Sequence, residues 1–452
     1  MKWTETTVGE FCPFTYGKAI KKQDQKSHGV PVYGSNGVYA FSEKALAGPY
    51  VVVIGRKGSV GQVHLSSEPC WVSDTAFYVR FESLAEASFV AYLLRTLGLE
   101  DMNTDAAVPG LNRNNAHRLE IRIPDSPEKR AALVRVAVVL DQKISLCSSI
   151  NQTLEQMAQA IFKSWFVDFE PVKAKIAALE AGGSEEDALL AAMQAISGKG
   201  EAELTRLQAE QPEQYAELRA TAELFPSAMQ DSELGEIPEG WRVSQIGDEV
   251  TVVGGGTPST KNPDFWDSGE INWTSPKDLS NLADKVLVET ERKVTEAGLA
   301  KISSGLLPVD TVLMSSRAPV GYLALAKIPV AVNQGYIAMK CEKALSPEFV
   351  IQWCAAHMDE IKSRASGTTF AEISKKNFKI IPVVMPTESL ISIYSKQASS
   401  LYEAIENNVR ESGTLAKLRD SLLPKLLAGE LSVSDTENQQ AKEKLVLQQE
   451  VN

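Results

Sequence analysis

The sequence predicts an α+β protein made of two tandem α/β domains, each trailed by a long helix, so that the chain is an internal repeat. Three observations carry this. From Ser126 to Trp165 apolar residues fall at alternating steps of three and four, at Leu133, Val136, Leu140, Cys147, Ile150, Leu154, Met157 and Ile161, with Lys143 the one polar member. That narrow stripe is a coiled-coil seam rather than the wider face of a globular helix. A second stretch of similar pattern runs from about Glu388 to Leu427, with Leu401, Ile405, Leu415 and Leu422 in its seam. Finally, blocks recur in a fixed order. Trp3, Val8 and Gly9 match Trp241, Ile246 and Gly247 at a separation of 238 residues, and Val52 to Gly61 matches Val312 to Gly321 at 260. Trp71 to Thr75 matches Ala331 to Gly335 at 260, and Leu111 to Pro124 matches Ile373 to Pro386 at 262. The jump from 238 to 260 is one insertion early in the second copy.

Taken in order, residues 1–125 form the first α/β domain. Tyr50 to Ile54 is a short apolar, β-branched run ended by a Gly/basic loop, Phe77 to Val79 is the strand after it, and Phe89 to Leu97 is an amphipathic helix. Residues 126–170 hold the first long helix, started by Ser126 and Pro127 and free of Gly or Pro beyond them. At the helical rise its forty residues extend roughly 60 Å and require a partner throughout. Residues 171–240 are Ala/Glu-rich, broken at Gly182-Gly183 and Gly198-Lys199-Gly200, and read as a solvated helical hairpin or linker without a counterpart in the second half. Residues 241–386 repeat the α/β domain, with Thr311 to Met314 and Tyr336 to Met339 as strands and Pro347 to Ile361 as a helix. Residues 387–430 hold the second long helix, in which Gly413 predicts an interruption and Pro424 a kink of the last turn. Residues 431–452 form a polar tail expected to fray.

Net charge is −12, but it is unevenly placed. Residues 1–125 carry 13 basic and 13 acidic side chains and residues 241–386 carry 16 of each, whereas 126–240 carry 10 against 19. The acidity therefore lies in the helical segments, and the neutral domains can each hold a basic face. No apolar run approaches the roughly 20 residues needed to span a bilayer. The start of the chain lacks a basic-then-apolar signal. Five cysteines without a C-x-x-C and four scattered histidines predict neither disulfides nor a metal cluster, and the expected compartment is the cytoplasm.

Catalytic signatures are missing. Val252 to Thr257 contains neither G-x-G-x-x-G nor GK[ST], no G-x-S-x-G or H-E-x-x-H occurs, and Asn262-Pro263-Asp264-Phe265-Trp266 only partly matches the N-P-P-[YF] corner of amino-methyltransferases. Recognition fits better. Gly55-Arg56-Lys57-Gly58-Ser59 and Ser315-Ser316-Arg317-Ala318-Pro319 place cations and small polar groups at equivalent strand ends, Lys57 and Arg317 at one repeat position. Such a cation can reach a phosphate or a guanine edge. Asn333-Gln334 has the groups to read adenine bidentately, whereas its counterpart Ser73-Asp74 does not. Asn112-Arg113-Asn114-Asn115 and Ser374-Lys375-Lys376-Asn377 are matched polar-basic turns suited to phosphate or to helix capping.

The stretch Gly255-Gly256-Thr257-Pro258-Ser259-Thr260-Lys261-Asn262-Pro263-Asp264-Phe265-Trp266, continuing to Ile271-Asn272-Trp273-Thr274-Ser275-Pro276-Lys277-Asp278-Leu279, resembles the specificity subunit of type I restriction–modification systems. So do Asn333-Gln334-Gly335, Gly367-Thr368-Thr369-Phe370, Ile150-Asn151-Gln152-Thr153-Leu154-Glu155, Phe162-Lys163-Ser164-Trp165-Phe166 and Gly235 to Trp241. The first domain departs from the pattern, with Trp71 to Thr75 in the N-Q-G place and no G-G-T-P stretch. The resemblance implies two target recognition domains, each reading one half of a split DNA site, and two helices paired as an antiparallel coiled coil with pseudo-twofold symmetry. It implies double-stranded DNA, two methyltransferase subunits and restriction/translocase subunits as partners, with no membrane. S-adenosylmethionine, ATP and Mg²⁺ would belong to those partners and no cofactor to this chain. The DNA-binding residues expected on this basis are Arg56, Lys57, Ser59, Ser73, Asn112, Arg113 and Asn115 in the first domain. In the second they are Thr257, Ser259, Lys261, Ser275, Lys277, Ser316, Arg317, Asn333, Gln334, Thr368, Thr369, Lys375 and Lys376. Two other function classes are an adenine-specific DNA methyltransferase acting alone and a coiled-coil adaptor that binds only protein.

Overall fold

In a computed structural model, which describes residues 2–102, 110–367 and 371–431, the chain divides into two units. One is made of residues 1–145 with 413–452, the other of residues 146–412, so each unit takes part of each long helix. The tail beyond residue 431 lies outside the described residues.

In the first unit, strands β1 (Trp3–Thr7), β2 (Thr15–Tyr16), β3 (Val30–Gly34), β4 (Gly37–Ser42), β5 (Val51–Gly55), β6 (Val63–Ser66), β7 (Trp71–Val72), β8 (Ala76–Arg80) and β9 (Glu120–Pro124) form three sheets. Their orders are β2-β8-β5-β6, β4-β3-β7 and β1-β9. Val51 to Ile54 is buried on both faces, which is why it reads as a continuous apolar run rather than an alternating one. One face carries the helix Leu84–Arg95, whose N-terminus is capped by the Ser83 hydroxyl. Its Phe89, Val90 and Leu93 pack with Val52, Ile54, Phe77 and Val79. The same core continues into Leu133, Val136 and Leu140 of the first long helix (Pro127–Phe166) and Leu422, Leu423 and Leu426 of the second (Glu388–Leu427). Arg130 donates to Glu86 from Nε at 2.9 Å and Nη2 at 2.6 Å, and Asp141 accepts from both Tyr92 and Arg419.

The second unit repeats this plan. Strands β10 (Met229–Ser232) and β11 (Gly235–Pro238) form a hairpin, and β12 (Arg242–Gln245) pairs with β21 (Pro382–Met385) as β1 pairs with β9. Between them run β13 (Thr251–Val253), β14 (Ile271–Thr274), β15 (Val286–Leu287), β16 (Arg292–Val294), β17 (Thr311–Ser315), β18 (Leu323–Ala326), β19 (Ala331–Val332) and β20 (Tyr336–Lys340). Their sheets are ordered β13-β20-β17-β18-β15 and β16-β14-β19. Gln352 of the helix Pro347–Ala356 reaches the helix pair at Tyr402 and Glu155.

The long helices pair antiparallel in each unit. Asp141 meets Arg419 in the first; in the second, Cys147 lies 4.0 Å from Glu411, Asn151 bonds Asn408 at 2.8 Å, Glu155 bonds Tyr402 at 3.0 Å and Phe162 meets Tyr394 edge-on at 5.8 Å. As numbers rise along one helix they fall along the other. The seam is not the one the apolar spacing predicts beyond Cys147. Ile150 is 41% and Met157 48% exposed, and the buried line passes instead through Asn151 and Ala158 to Phe162, with Leu154 and Ile161 at its flank. The reason is a polar network that a hydrophobicity pattern cannot weigh. Asn151 also donates to Asp284, and Glu155 accepts from Lys285 at 2.7 Å and Gln352 at 3.1 Å besides Tyr402. Burial and the nearby Glu155 carboxylate hold the Tyr402 phenol well above its ordinary pKa, so it stays protonated and donates. Satisfied in this way, Asn151 and Glu155 cost little to bury.

Two further expectations are corrected. The second long helix is unbroken at Gly413, where no neighbour approaches a Cβ. Residues 171–240 are more than a linker. Helices Glu185–Ser197, Glu201–Glu210 and Pro212–Glu223 share a core of Leu189, Ala192, Met193, Leu204 and Ala222, while the helix Glu170–Glu180 buries Val172 in the main core of the unit and its Lys175, buried, donates to the Phe225 carbonyl at 2.5 Å.

Candidate nucleic-acid interface

In the second domain the loops after β13, β17 and β19 converge. Asn333 is fixed from both ends, its Oδ1 accepting from Gly335 N at 2.5 Å and its Nδ2 donating to Thr257 Oγ1 at 3.2 Å. Thr257 in turn donates to Gln334 Oε1 at 2.6 Å. Asn333 is thus spent inside the loop, while Gln334 is exposed and keeps its amide NH₂ for a base edge. Arg317 is half-buried beside Gly335, with Glu372 3.9 Å from its guanidinium. Ser316 is buried, bound through its backbone to Gly335 and Ile373. Lys375 and Lys376 are exposed on the short helix Lys375–Lys379, which the Ser374 hydroxyl caps.

Several expected contacts are structural. Ser275 and Asp278 form a capping box on the helix Pro276–Ser280, and Asn262 accepts from Asp264 N at 3.1 Å, so the Asn262-to-Trp266 corner is a capped turn. Ser259 lends its carbonyl to Trp266 Nε1 at 3.1 Å. Lys261 and Lys277 are exposed. Thr368 and Thr369 lie outside the described residues.

In the first domain the same frame carries different groups. Arg56 N bonds Thr75 O at 2.9 Å where Ser316 N bonds Gly335 O at 2.8 Å, and Leu111 N bonds Arg56 O as Ile373 N bonds Ser316 O. The Arg56 side chain lies 5.0 Å from the Tyr16 ring and donates to Asp74 O. Arg113 approaches that ring at 4.9 Å, so an exposed tyrosine is flanked by two guanidinium groups. Ser73 is buried against Thr75, Asn112 caps the helix Arg113–His117, Lys57 and Asn115 are exposed, and Ser59 is half-buried. Burial, with Arg113 nearby, lowers the His117 pKa, and its neutral Nε2 accepts from Phe14 N at 2.9 Å.

Two features escape a reading of the sequence. Tyr16 occupies the place of Gly254, a match visible only through the 238-residue offset. Arg292 stacks 3.6 Å from the Trp266 ring beside Trp273, an aromatic–cation group brought together from three strands and turns. The first domain also has its equivalent of the G-G-T-P stretch. Lys18 N bonds Val72 O at 2.9 Å as Gly256 N bonds Val332 O at 2.9 Å, and Trp71 and Trp273, on adjacent strands of the repeat, donate from Nε1 to Lys18 O and Gly256 O. Gly17 and Gly255 are required there, because a Cβ would sit 2.0 Å from Ser73 O and 1.7 Å from Val332 O.

Two copies of one α/β head, each offering a polar, cation-bearing loop cluster, define a two-headed recognition protein. The comparisons make this specific. A family model described as the type I restriction modification DNA specificity domain matches residues 1–156 and again 238–391. The HindI specificity subunit of Haemophilus influenzae is 35% identical over 331 residues, 72% of this chain and 71% of that one. The MjaIX specificity subunit of Methanocaldococcus jannaschii is 32% identical over 196 residues, 43% of this chain and 45% of that one. The S subunit from M. genitalium shares the fold, with a TM-score of 0.50 at 14% identity over 94% of this chain and 96% of that structure. The chain belongs to the specificity subunits of type I restriction–modification systems and carries two tandem recognition domains. Among the described residues, no helix is long and apolar enough to cross a membrane, and no group of His, Cys, Asp or Glu is placed to hold a metal.

Arg317→Ala is expected to weaken DNA binding by about 1–3 kcal/mol and to relax preference at one base pair if the guanidinium reads a base. Titration against a panel of single-base variants measures this. A uniform loss over the panel with a shallower salt dependence would mean a phosphate contact instead.

Proposed function

We propose that this chain reads a bipartite, interrupted double-stranded DNA sequence, one half through each recognition domain, and serves as a non-catalytic scaffold for two methyltransferase subunits and the restriction subunits. S-adenosylmethionine, ATP and Mg²⁺ are supplied by those partners, and the complex works in the cytoplasm. The observation that supports the reading is one backbone frame bearing two chemistries: Tyr16 between Arg56 and Arg113 in the first domain, Thr257, Gln334 and Arg317 in the second. Shared frames with different tips read different half-sites, so the target is asymmetric. In the second unit Leu146, Ile150 and Met157 leave an exposed apolar stripe along the first long helix, which suits a methyltransferase partner.

Mapping methylated adenines in DNA from cells that express the complex tests this. Exchanging residues 1–125 for those of another family member is expected to change one half of the methylated sequence and keep the other. A change in both halves, or in neither, would overturn the assignment.

A further inference from the structure

The two recognition domains place exposed lysines on different loops. In the second, Lys375 and Lys376 are exposed on the capped turn that follows β20 and its helices, and Lys375 Nζ would lie 2.9 Å from a Cβ on Gly254. In the first, the matching residues are Arg113 and Asn114, and the matching partner of Gly254 is Tyr16. Arg113 is drawn onto that ring, and its Nε is buried without a hydrogen-bond partner. A guanidinium held in this way is poorly placed to follow a phosphate backbone. The first domain has therefore lost the lysine pair of its twin.

Its cations reappear on another loop. The segment leaving Gly17 is pinned at Lys18 on the same carbonyl position that pins Gly256 in the second domain. From that common point the second domain continues as Thr257-Pro258-Ser259. The first continues as Ala19-Ile20-Lys21-Lys22 to Lys26, with Lys18, Lys21, Lys22 and Lys26 all exposed and Asp24 the one acid among them. Lys44, on the loop after β4, faces the same segment across a cleft of about 400 Å³ floored by Trp71. Among the described residues Lys18, Lys21, Lys22 and Lys44 have no carboxylate within ion-pair distance, and Lys26 meets only Glu43, at 3.4 Å and largely in solvent. Surface pairs of that kind hold a lysine weakly. In a chain of net charge −12, Lys21, Lys26 and Lys44 on the cleft, with Lys18 and Lys22 exposed on the same segment, outnumber the two acids Asp24 and Glu43 and form a local positive surface. It adjoins the Ser73–Thr75 loop, since Lys18 is hydrogen-bonded to Val72.

We propose that residues 18–26 with Lys44 form a phosphate-binding arm of the first recognition domain, gripping the duplex backbone beside the bases read by the Arg56 and Thr75 loops. This rests on the reading of the chain as a DNA specificity subunit. The arm is sequence-blind: lysine ammonium groups meet phosphates as point charges and carry no base code. The first domain thus anchors itself through this arm, while the second uses Lys375 and Lys376 for the same task.

The test uses the full chain in complex with its methyltransferase partner and a DNA duplex carrying the mapped site, with binding measured across a series of salt concentrations. For K21A/K22A/K26A the slope of log K against log salt is expected to fall by about two to three, with the preference among single-base variants unchanged in both halves. K21R/K22R/K26R is expected to restore the slope, since charge rather than shape is what the arm supplies. All these side chains are exposed, so the unfolding midpoint stays unchanged. An unaltered slope in a complex that still prefers its site would overturn the arm and leave the specificity reading intact. A changed base preference in one half would overturn it too, by making the lysines base readers. Wild-type complex with no sequence preference at all would instead overturn the specificity reading.

Discussion

Replacing Phe162 by alanine is expected to destabilise the second unit by about 3–5 kcal/mol, whereas Met157→Ala, one and a half turns away on the same helix, shifts it by less than about 1 kcal/mol. Phe162 is buried at the centre of an aromatic group, 5.0 Å from Phe349, 5.3 Å from Phe166 and 5.8 Å from Tyr394. Those rings belong to the first long helix, the helix Pro347–Ala356 and the second long helix, so one truncation opens a cavity where three elements meet. Edge-to-face pairs of this kind add to the burial term. Met157 is 48% exposed and leaves no cavity behind. Urea unfolding of the two variants measures the difference. A larger loss for Met157→Ala would restore the seam that the apolar spacing suggests and remove the one observed here.

Most of the fold was legible because duplication is legible. The offsets of 238 and 260 residues locate the matched strands, and the buried run Val51 to Gly55 and its twin Thr311 to Ser315 sit as interior strands in both units. Helix existence was equally plain. What the spacing could not decide was helix phase past Cys147, because two faces of the first long helix satisfy a heptad. The choice turned on Asn151 and Glu155 finding Asn408, Asp284, Lys285, Gln352 and Tyr402, residues 130 to 257 positions distant in the chain. The interface was legible in outline for the same reason and illegible in detail for another. Loop residues such as Ser73, Ser275 and Asn112 have the composition of a binding surface, but short polar side chains serve turns and caps just as well. In the fold the two serine hydroxyls and the Asn112 amide oxygen are already occupied. Tyr16 and Arg292 carry no signal in the sequence, because no local pattern marks a residue whose partners come from other loops.

The face left over by that choice of phase carries the second large effect. Leu146, Ile150 and Met157 are 59%, 41% and 48% exposed, and steps of four and seven set them within one narrow stripe of the helix. Large aliphatic groups aligned this way in water are a standing cost unless something covers them. In a specificity subunit the proposed cover is a methyltransferase subunit. Ile150→Glu with Met157→Glu keeps helix propensity and places the new carboxylates in solvent in the free chain, so stability changes by less than about 1 kcal/mol. In the complex the same carboxylates would be desolvated without partners, and each such charge costs several kcal/mol. Association with the methyltransferase subunit, followed by titration calorimetry or co-purification, is therefore expected to weaken by at least about 100-fold, with methylation lost in step. Unchanged association in a folded double variant would show that the partner sits elsewhere, and the exposed stripe would then need a different occupant.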